Sequence, residues 1–222
     1  MFDRIAPRYD LLNRLLSLGA DRGWRKRAVS QAYLGPGERG LDVGVGTGDL
    51  ALGVLRASAG GSRVAGIDIS PAMLAIAARR AADAGLAQRF HGVLATAEAL
   101  PFADETFHRA AAAFTVRNVG RLDDALREIR RVLRSNGRVV ILELHTPSAP
   151  LPRALYRGYG RAFPALAGAL GSDVEAYRYL PRSIESFADP DELRARLVEA
   201  GFRDARYERL TFGVAAIHLA EA

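Results

Sequence analysis

The sequence predicts an α/β protein: a doubly wound, mostly parallel seven-stranded sheet with a C-terminal antiparallel strand pair and a helical N-terminal lid. Three observations carry this. From Gly40 onward, short apolar runs alternate with amphipathic stretches, and strands separated by helices build a parallel sheet. The stretch Arg39 to Ala51, RGLDVGVGTGDLA, reads as strand, glycine turn and helix. The segment Tyr207 to Leu219 splits at Gly213 into two strand-like halves with no helix between them.

The elements follow in order. Before Gly40, Tyr9, Leu12, Leu15 and Leu16 share one helical face, so residues 1–34 are expected to form a helical cover, either an ordinary core-covering helix or a substrate lid. Trp24 beside Arg25, Lys26 and Arg27 reads as a solvated basic face with one anchor. Strands are expected at Leu41–Val45, Arg63–Ile69, Arg89–Ala95, Phe107–Phe114 and Arg138–Leu144. Helices should run to about Ala57, from Pro71 to about Ala84, and from Leu122 to Leu133, the last ending near Asn136-Gly137. Ser70-Pro71 is a cap and first-turn pair, and Asp189-Pro190-Asp191-Glu192 opens a helix that Gly201 closes. Residues 147–187 interrupt the alternation as a helical insertion within a single domain spanning 1–222. In it Arg153, Arg157 and Arg161 recur every fourth position beside Leu155, Tyr159 and Phe163, a pattern that suits either an anionic bilayer or an exposed cap.

Ligands of such sheets bind beyond the carboxyl ends of the strands, which brings Val45, Ile69, Ala95 and Phe114 toward one site. Asp42 lies in the first strand, and Gly44, Gly46, Thr47 and Gly48 make a side-chain-poor turn where a ligand can lie against backbone. A dinucleotide fold wants a third glycine three places after the second, and Asp49 stands there. A carboxylate in the first helical turn would repel a pyrophosphate, so the ligand is expected to lack phosphate. Asp68, followed by Ile69, closes the second strand where a carboxylate can bridge two ribose hydroxyls. Thr96 and Ala97 follow the third strand with a hydroxyl and a backbone N–H for a ring edge. Arg117 and Asn118 follow the fourth, between apolar neighbours, placed to orient a polar group of an apolar substrate; Arg117 could instead pair with Asp123 or Asp124.

Composition narrows the function. The 222 residues are 49% hydrophobic and carry a formal charge of +6, almost all of it arginine, since Lys26 is the only lysine. No cysteine is present, which removes disulfides and thiolate metal sites, and no metal is expected. No run approaches the roughly 20 apolar residues of a membrane span, so the protein reads as cytoplasmic. Without a helix-turn-helix, zinc or ribonucleoprotein pattern, no nucleic-acid partner is expected.

The Gly44, Gly46, Gly48 spacing resembles the first motif of class I S-adenosylmethionine-dependent methyltransferases, which are Rossmann-like. Tyr9-Asp10-Leu11-Leu12-Asn13 with Ser17 and Trp24-Arg25, then Phe114-Thr115-Val116-Arg117-Asn118-Val119, then Ala176 to Ile184, together resemble the menaquinone/ubiquinone C-methyltransferase family. The resemblance runs over almost the full chain. It implies S-adenosyl-L-methionine as cofactor, with contacts at Thr47, Asp68, Thr96 and Ala97. It also implies methyl transfer to a ring carbon of a polyprenylated quinol. For that reaction Arg117 and Asn118 are expected to hold the quinol oxygen, with Tyr9 closing the pocket. Transient contact with the inner face of the cytoplasmic membrane fits such a substrate, and a homodimer stays open. Relatives often have serine where Ala113 stands, and alanine cannot supply that side-chain contact to the cofactor. An O- or N-methyltransferase and a non-catalytic cofactor-binding partner protein are the alternatives.

Overall fold

The computed structural model describes residues 17, 19–154, 156, 158 and 183–222. Seven strands form one sheet in the order β3-β2-β1-β4-β5-β7-β6. They are β1 (Arg39–Val43), β2 (Arg63–Asp68), β3 (Phe90–Leu94), β4 (Phe107–Ala113), β5 (Leu133–Leu144), β6 (Arg203–Leu210) and β7 (Ala215–Glu221). The first five run parallel; β7 pairs antiparallel with both β5 and β6. The order reverses between β1 and β4, the switch point at which open α/β sheets hold ligands.

Among the described residues, helices α1 (Asp21–Gln31), α2 (Asp49–Ala57), α3 (Pro71–Asp83), α4 (Leu122–Val132) and α5 (Pro190–Glu199) flank the sheet. Each has a local cause. Ser70 caps α3 by accepting from the Met73 N–H at 3.1 Å, and Asp189 caps α5 by accepting from the Glu192 N–H at 2.9 Å, each followed by proline in the first turn. In α4 the apolar side chains of Leu126, Ile129 and Val132 are buried while arginines occupy the outer face. Two apolar layers result. One, beneath α1 and α2, contains Leu34, Leu52 and Leu55; the other, beneath α4 and α5, contains Leu126, Ile141 and Leu193.

Two expectations need correction. The turn expected near Asn136-Gly137 is part of β5, which starts at Leu133 directly after α4. Leu133 is fully buried and pairs with Phe107, and the register shift before Arg109 absorbs Asn136, whose φ is 66°. The closing strand pair begins at Arg203 rather than Tyr207, because pairing with β7 starts at Arg203 against Glu221. Among the described residues, no helix is long and apolar enough to cross a membrane. Tyr9 and most of the basic stripe, including Arg157, Arg161, Tyr159 and Phe163, lie outside the described residues.

Candidate active site

A cavity of about 330 Å³ opens at the carboxyl ends of β1, β2, β3 and β4. Its floor is the glycine turn. Gly44 has a φ of 68°, and a Cβ there would overlap the Thr115 side chain, which leans across and donates from its hydroxyl to the Gly44 carbonyl at 3.2 Å. Gly46, at φ 53°, faces open space, and its N–H donates to Asp68 Oδ2 at 2.8 Å. Asp68 Oδ1 accepts from the Ser70 N–H at 2.9 Å. Two backbone groups thus fix the carboxylate, and since an ionised carboxylate offers about four lone-pair sites, acceptor capacity for two hydroxyls remains.

The rest of the turn is held from outside the cavity. Arg80 of α3 donates to the Thr47 carbonyl at 3.1 Å and pairs with Asp49 at 2.7 Å. Asp49 is thereby held in the first turn of α2, where a phosphate would otherwise sit. Thr47 is buried, and Gly48 caps α2 at φ 90°. Asp42 points under α2 instead of into the cavity: it is buried, accepts from the Ala51 N–H, and keeps one oxygen without a partner. Burial pushes its carboxyl up to about 7, with the Arg25 charge pulling the other way.

Thr96 and Ala97 line the opposite wall, beside Ile69. Their loop is clamped in a way the sequence reading missed. Glu128 accepts from the Leu100 N–H at 2.8 Å, and Arg131 donates to the carbonyls of Leu100 and Phe102 while pairing with Glu128 and Asp104. An acid and an arginine three apart on α4 were the available signal, indistinguishable from a surface helix pair until the loop is seen against them.

The far wall is different in kind. Phe114, directly after β4, lies in the left-handed region at φ 59°. The Trp24 ring of α1 meets it edge-on at 6.4 Å, and the Arg25 guanidinium lies 4.9 Å from its centroid. Asn118 lines the cavity and donates its amide to the Phe114 carbonyl at 3.3 Å. Arg117 turns from the cavity to Glu143, not to Asp123 or Asp124. This pair is buried, with the Arg117 side chain 4% exposed and Glu143 fully enclosed. Glu143 also accepts from the backbone N–H groups of Arg117 at 3.2 Å and Leu144 at 2.8 Å. Tyr156 lies nearby, its phenol pushed up to about 12 by burial against the opposing charge of Arg117. A lone acid inside the apolar run VVILEL was the sequence signal for Glu143.

The predicted residues thus fall into two groups. Gly44, Gly46, Asp68, Ile69, Thr96, Ala97 and Asn118 meet around one cavity. Asp42, Thr47, Gly48, Ala113 and Arg117 stand behind its walls; Ala113 contributes its carbonyl as an acceptor for the Thr115 hydroxyl at 3.2 Å. Val45 supports the floor, packed so closely on Gly66 that a Cβ there would lie 2.7 Å from it.

This sheet order, glycine turn and carboxylate at the end of β2 define a class I methyltransferase fold. A SAM-dependent methyltransferase from Thermotoga maritima shares the fold with a TM-score of 0.70 at 22% identity, over 99% of this chain and 97% of that one. The chain belongs to the ubiE/COQ5 methyltransferase family, whose model matches residues 1–221. It is 50% identical, over its whole length and 99% of the relative's, to a demethylmenaquinone methyltransferase from Thermus thermophilus. It is 42% identical to a ubiquinone/menaquinone biosynthesis C-methyltransferase from Geobacter sulfurreducens, covering 86% of that protein. The protein is an S-adenosylmethionine-dependent methyltransferase. The cavity suits that cofactor: spare acceptors at Asp68, room above Gly46, and an anionic first turn at Asp49 that a phosphate-bearing ligand would meet unfavourably.

Proposed function

We propose that the chain methylates a ring carbon of a prenylated quinol, most simply converting demethylmenaquinol to menaquinol. The observation that carries this reading is the full-length match to a relative named for that reaction. Asp68 would hold the ribose hydroxyls, and Thr96 and Ala97 the adenine edge. Bound S-adenosylmethionine supplies a methyl group on a positively charged sulfur. Asn118, on the cavity wall, holds the quinol oxygen whose deprotonation makes the ring carbon nucleophilic, while Arg117, paired with Glu143 behind that wall, keeps the segment carrying Asn118 in place. Trp24 and Phe114 keep water from that wall, which favours a step in which opposite charges are consumed. Alignment of carbon and methyl does most of the catalysis. The prenyl tail keeps such a substrate in a bilayer, so the enzyme works at the membrane surface.

The test is incubation with reduced demethylmenaquinone and methyl-labelled cofactor, locating the label by NMR. Label on the ring carbon is expected. Label on oxygen, or none on a reduced quinol, contradicts the proposal.

A further inference from the structure

The most exposed large apolar side chain among the described residues is Phe212, at 84%. It sits in the turn joining β6 to β7, where Thr211, Phe212 and Gly213 have φ values of 45°, 56° and 88°. Three successive left-handed residues are unusual, and for a β-branched threonine and a phenylalanine the conformation is strained. Something must hold it. The Trp24 indole N–H donates to the Thr211 hydroxyl at 2.9 Å, fastening the turn to α1. Strain is thus maintained to present an aromatic ring to solvent, which burial within the fold does not explain.

The turn stands at the rim of the substrate-side wall. Trp24 and Val214, on either side of it, line a small chamber with Phe114 and Tyr156, and Phe114 also lines the cofactor cavity. A Cβ at Gly213 would lie 3.7 Å from both Pro147 Cα and Arg209 Cδ. The Pro147 carbonyl accepts from Arg153 Nε at 2.8 Å, and between them in the chain lies Leu151, 71% exposed. Arg27 meets Glu208 while Trp24 meets Thr211, so α1 runs antiparallel to β6 and brings its first turn, with exposed Arg22, to the same end. Asp21 accepts from the Ser17 hydroxyl at 2.8 Å, Glu208 pairs with Arg27 at 2.7 Å, and Asp191 stands 3.9 Å from Arg209, whose side chain is still 44% exposed. The result is an apolar tip ringed by arginines.

We propose that the Thr211–Gly213 turn docks the enzyme on an anionic bilayer, with Phe212 entering the headgroup–acyl boundary beside Leu151 and Arg22, Arg153 and Arg209 meeting lipid phosphates. Apolar insertion combined with positive charge is the chemistry that recognises such a surface. The inference rests on the prenylated-quinol reading, since docking there brings the mouth of the chamber to the substrate's own phase.

Co-sedimentation with phosphatidylcholine vesicles, with and without phosphatidylglycerol, tests it on the full chain. Phe212→Gly is the informative variant because glycine relaxes the left-handed backbone, so it should melt no lower than the wild type. Wild-type protein should bind the phosphatidylglycerol vesicles and lose binding in high salt. Phe212→Gly should bind about tenfold or more weakly. Its turnover of a tail-less quinol in solution should be unchanged, while turnover of a long-chain quinol in vesicles falls. Equal binding by Phe212→Gly, or a wild type that ignores both vesicle types, overturns the proposal, the latter pointing to a protein partner for the tip. A wild type that binds vesicles but methylates no quinol sinks the substrate reading and leaves the docking surface standing.

Discussion

The two walls of the cleft are made by opposite means. On the cofactor side, Gly44 to Gly48 and Asp68 lie within one strand-helix-strand unit, and most of the polar contacts run to backbone groups. On the substrate side, Trp24, Phe114, Arg117, Glu143 and Thr211 come from separated parts of the chain and meet through side chains, including one contact across 187 positions. Backbone recognition tolerates sequence change wherever glycine and one carboxylate persist. Side-chain recognition ties specificity to a buried ion pair and to aromatic packing, so the second wall should be the more fragile one.

Glu143→Ala breaks that comparison most severely. It leaves the Arg117 guanidinium buried without its partner carboxylate, and denaturant unfolding should register a loss of about 3–5 kcal/mol. A loss below about 1 kcal/mol would mean that the substrate wall does not depend on the pair.

The walls should also titrate in opposite senses. Under the substrate wall, burial and the neighbouring His145 take His218 down to about 3, and burial lowers His145 as well. The unfolded histidine binds its proton below about 6.5, so this contribution to stability is present above that pH and is lost as pH falls toward 3. Asp42, under the cofactor wall, keeps its proton in the folded state up to about 7 while the unfolded carboxyl loses it near 4. Its contribution therefore falls as pH rises through that interval. Each is worth up to a few kcal/mol, and in the wild type they offset one another. Urea titrations between pH 4 and 6.5 should show stability rising with pH in Asp42→Asn and falling with pH in His218→Gln. Slopes of the same sign would refute the assignment.

Gly44→Ala is a smaller perturbation of the cofactor wall, adding a Cβ at positive φ against Thr115. A loss of about 2 kcal/mol or more is expected. Thr115→Ala in the same chain should restore part of it, because only the overlap and not the backbone strain is relieved. Strict additivity of the two changes would show that the contact carries no energy.

The same contrast explains what could be read from the chain alone. Gly44, Gly46 and Asp68 were legible because local spacing dictates the turn and because strand ends converge on a switch point. The β6–β7 pair was legible from its glycine break, although its start was not, since Arg203 to Arg206 alternate no apolar residues. The partners of Glu143 and of the Glu128–Arg131 clamp were not legible, because packing across the sheet fixes them. Phe212 read as an ordinary strand residue because sequence pattern cannot report a left-handed φ. Arg117 was read as orienting a polar group of the substrate, with Asp123 or Asp124 as the alternative partner; neither reading reaches Glu143, which is far in sequence and close in space.

The central claim is that the Gly46–Asp68 corner recognises a nucleoside sulfonium without phosphate, and calorimetric titration of wild type and Asp68→Ala addresses it most directly. S-adenosylmethionine should bind the wild type at one site and the variant about ten- to a hundredfold more weakly, as expected for losing hydrogen bonds to a charged acceptor. Undiminished binding by Asp68→Ala, or preferential binding of a nicotinamide dinucleotide by the wild type, would contradict it.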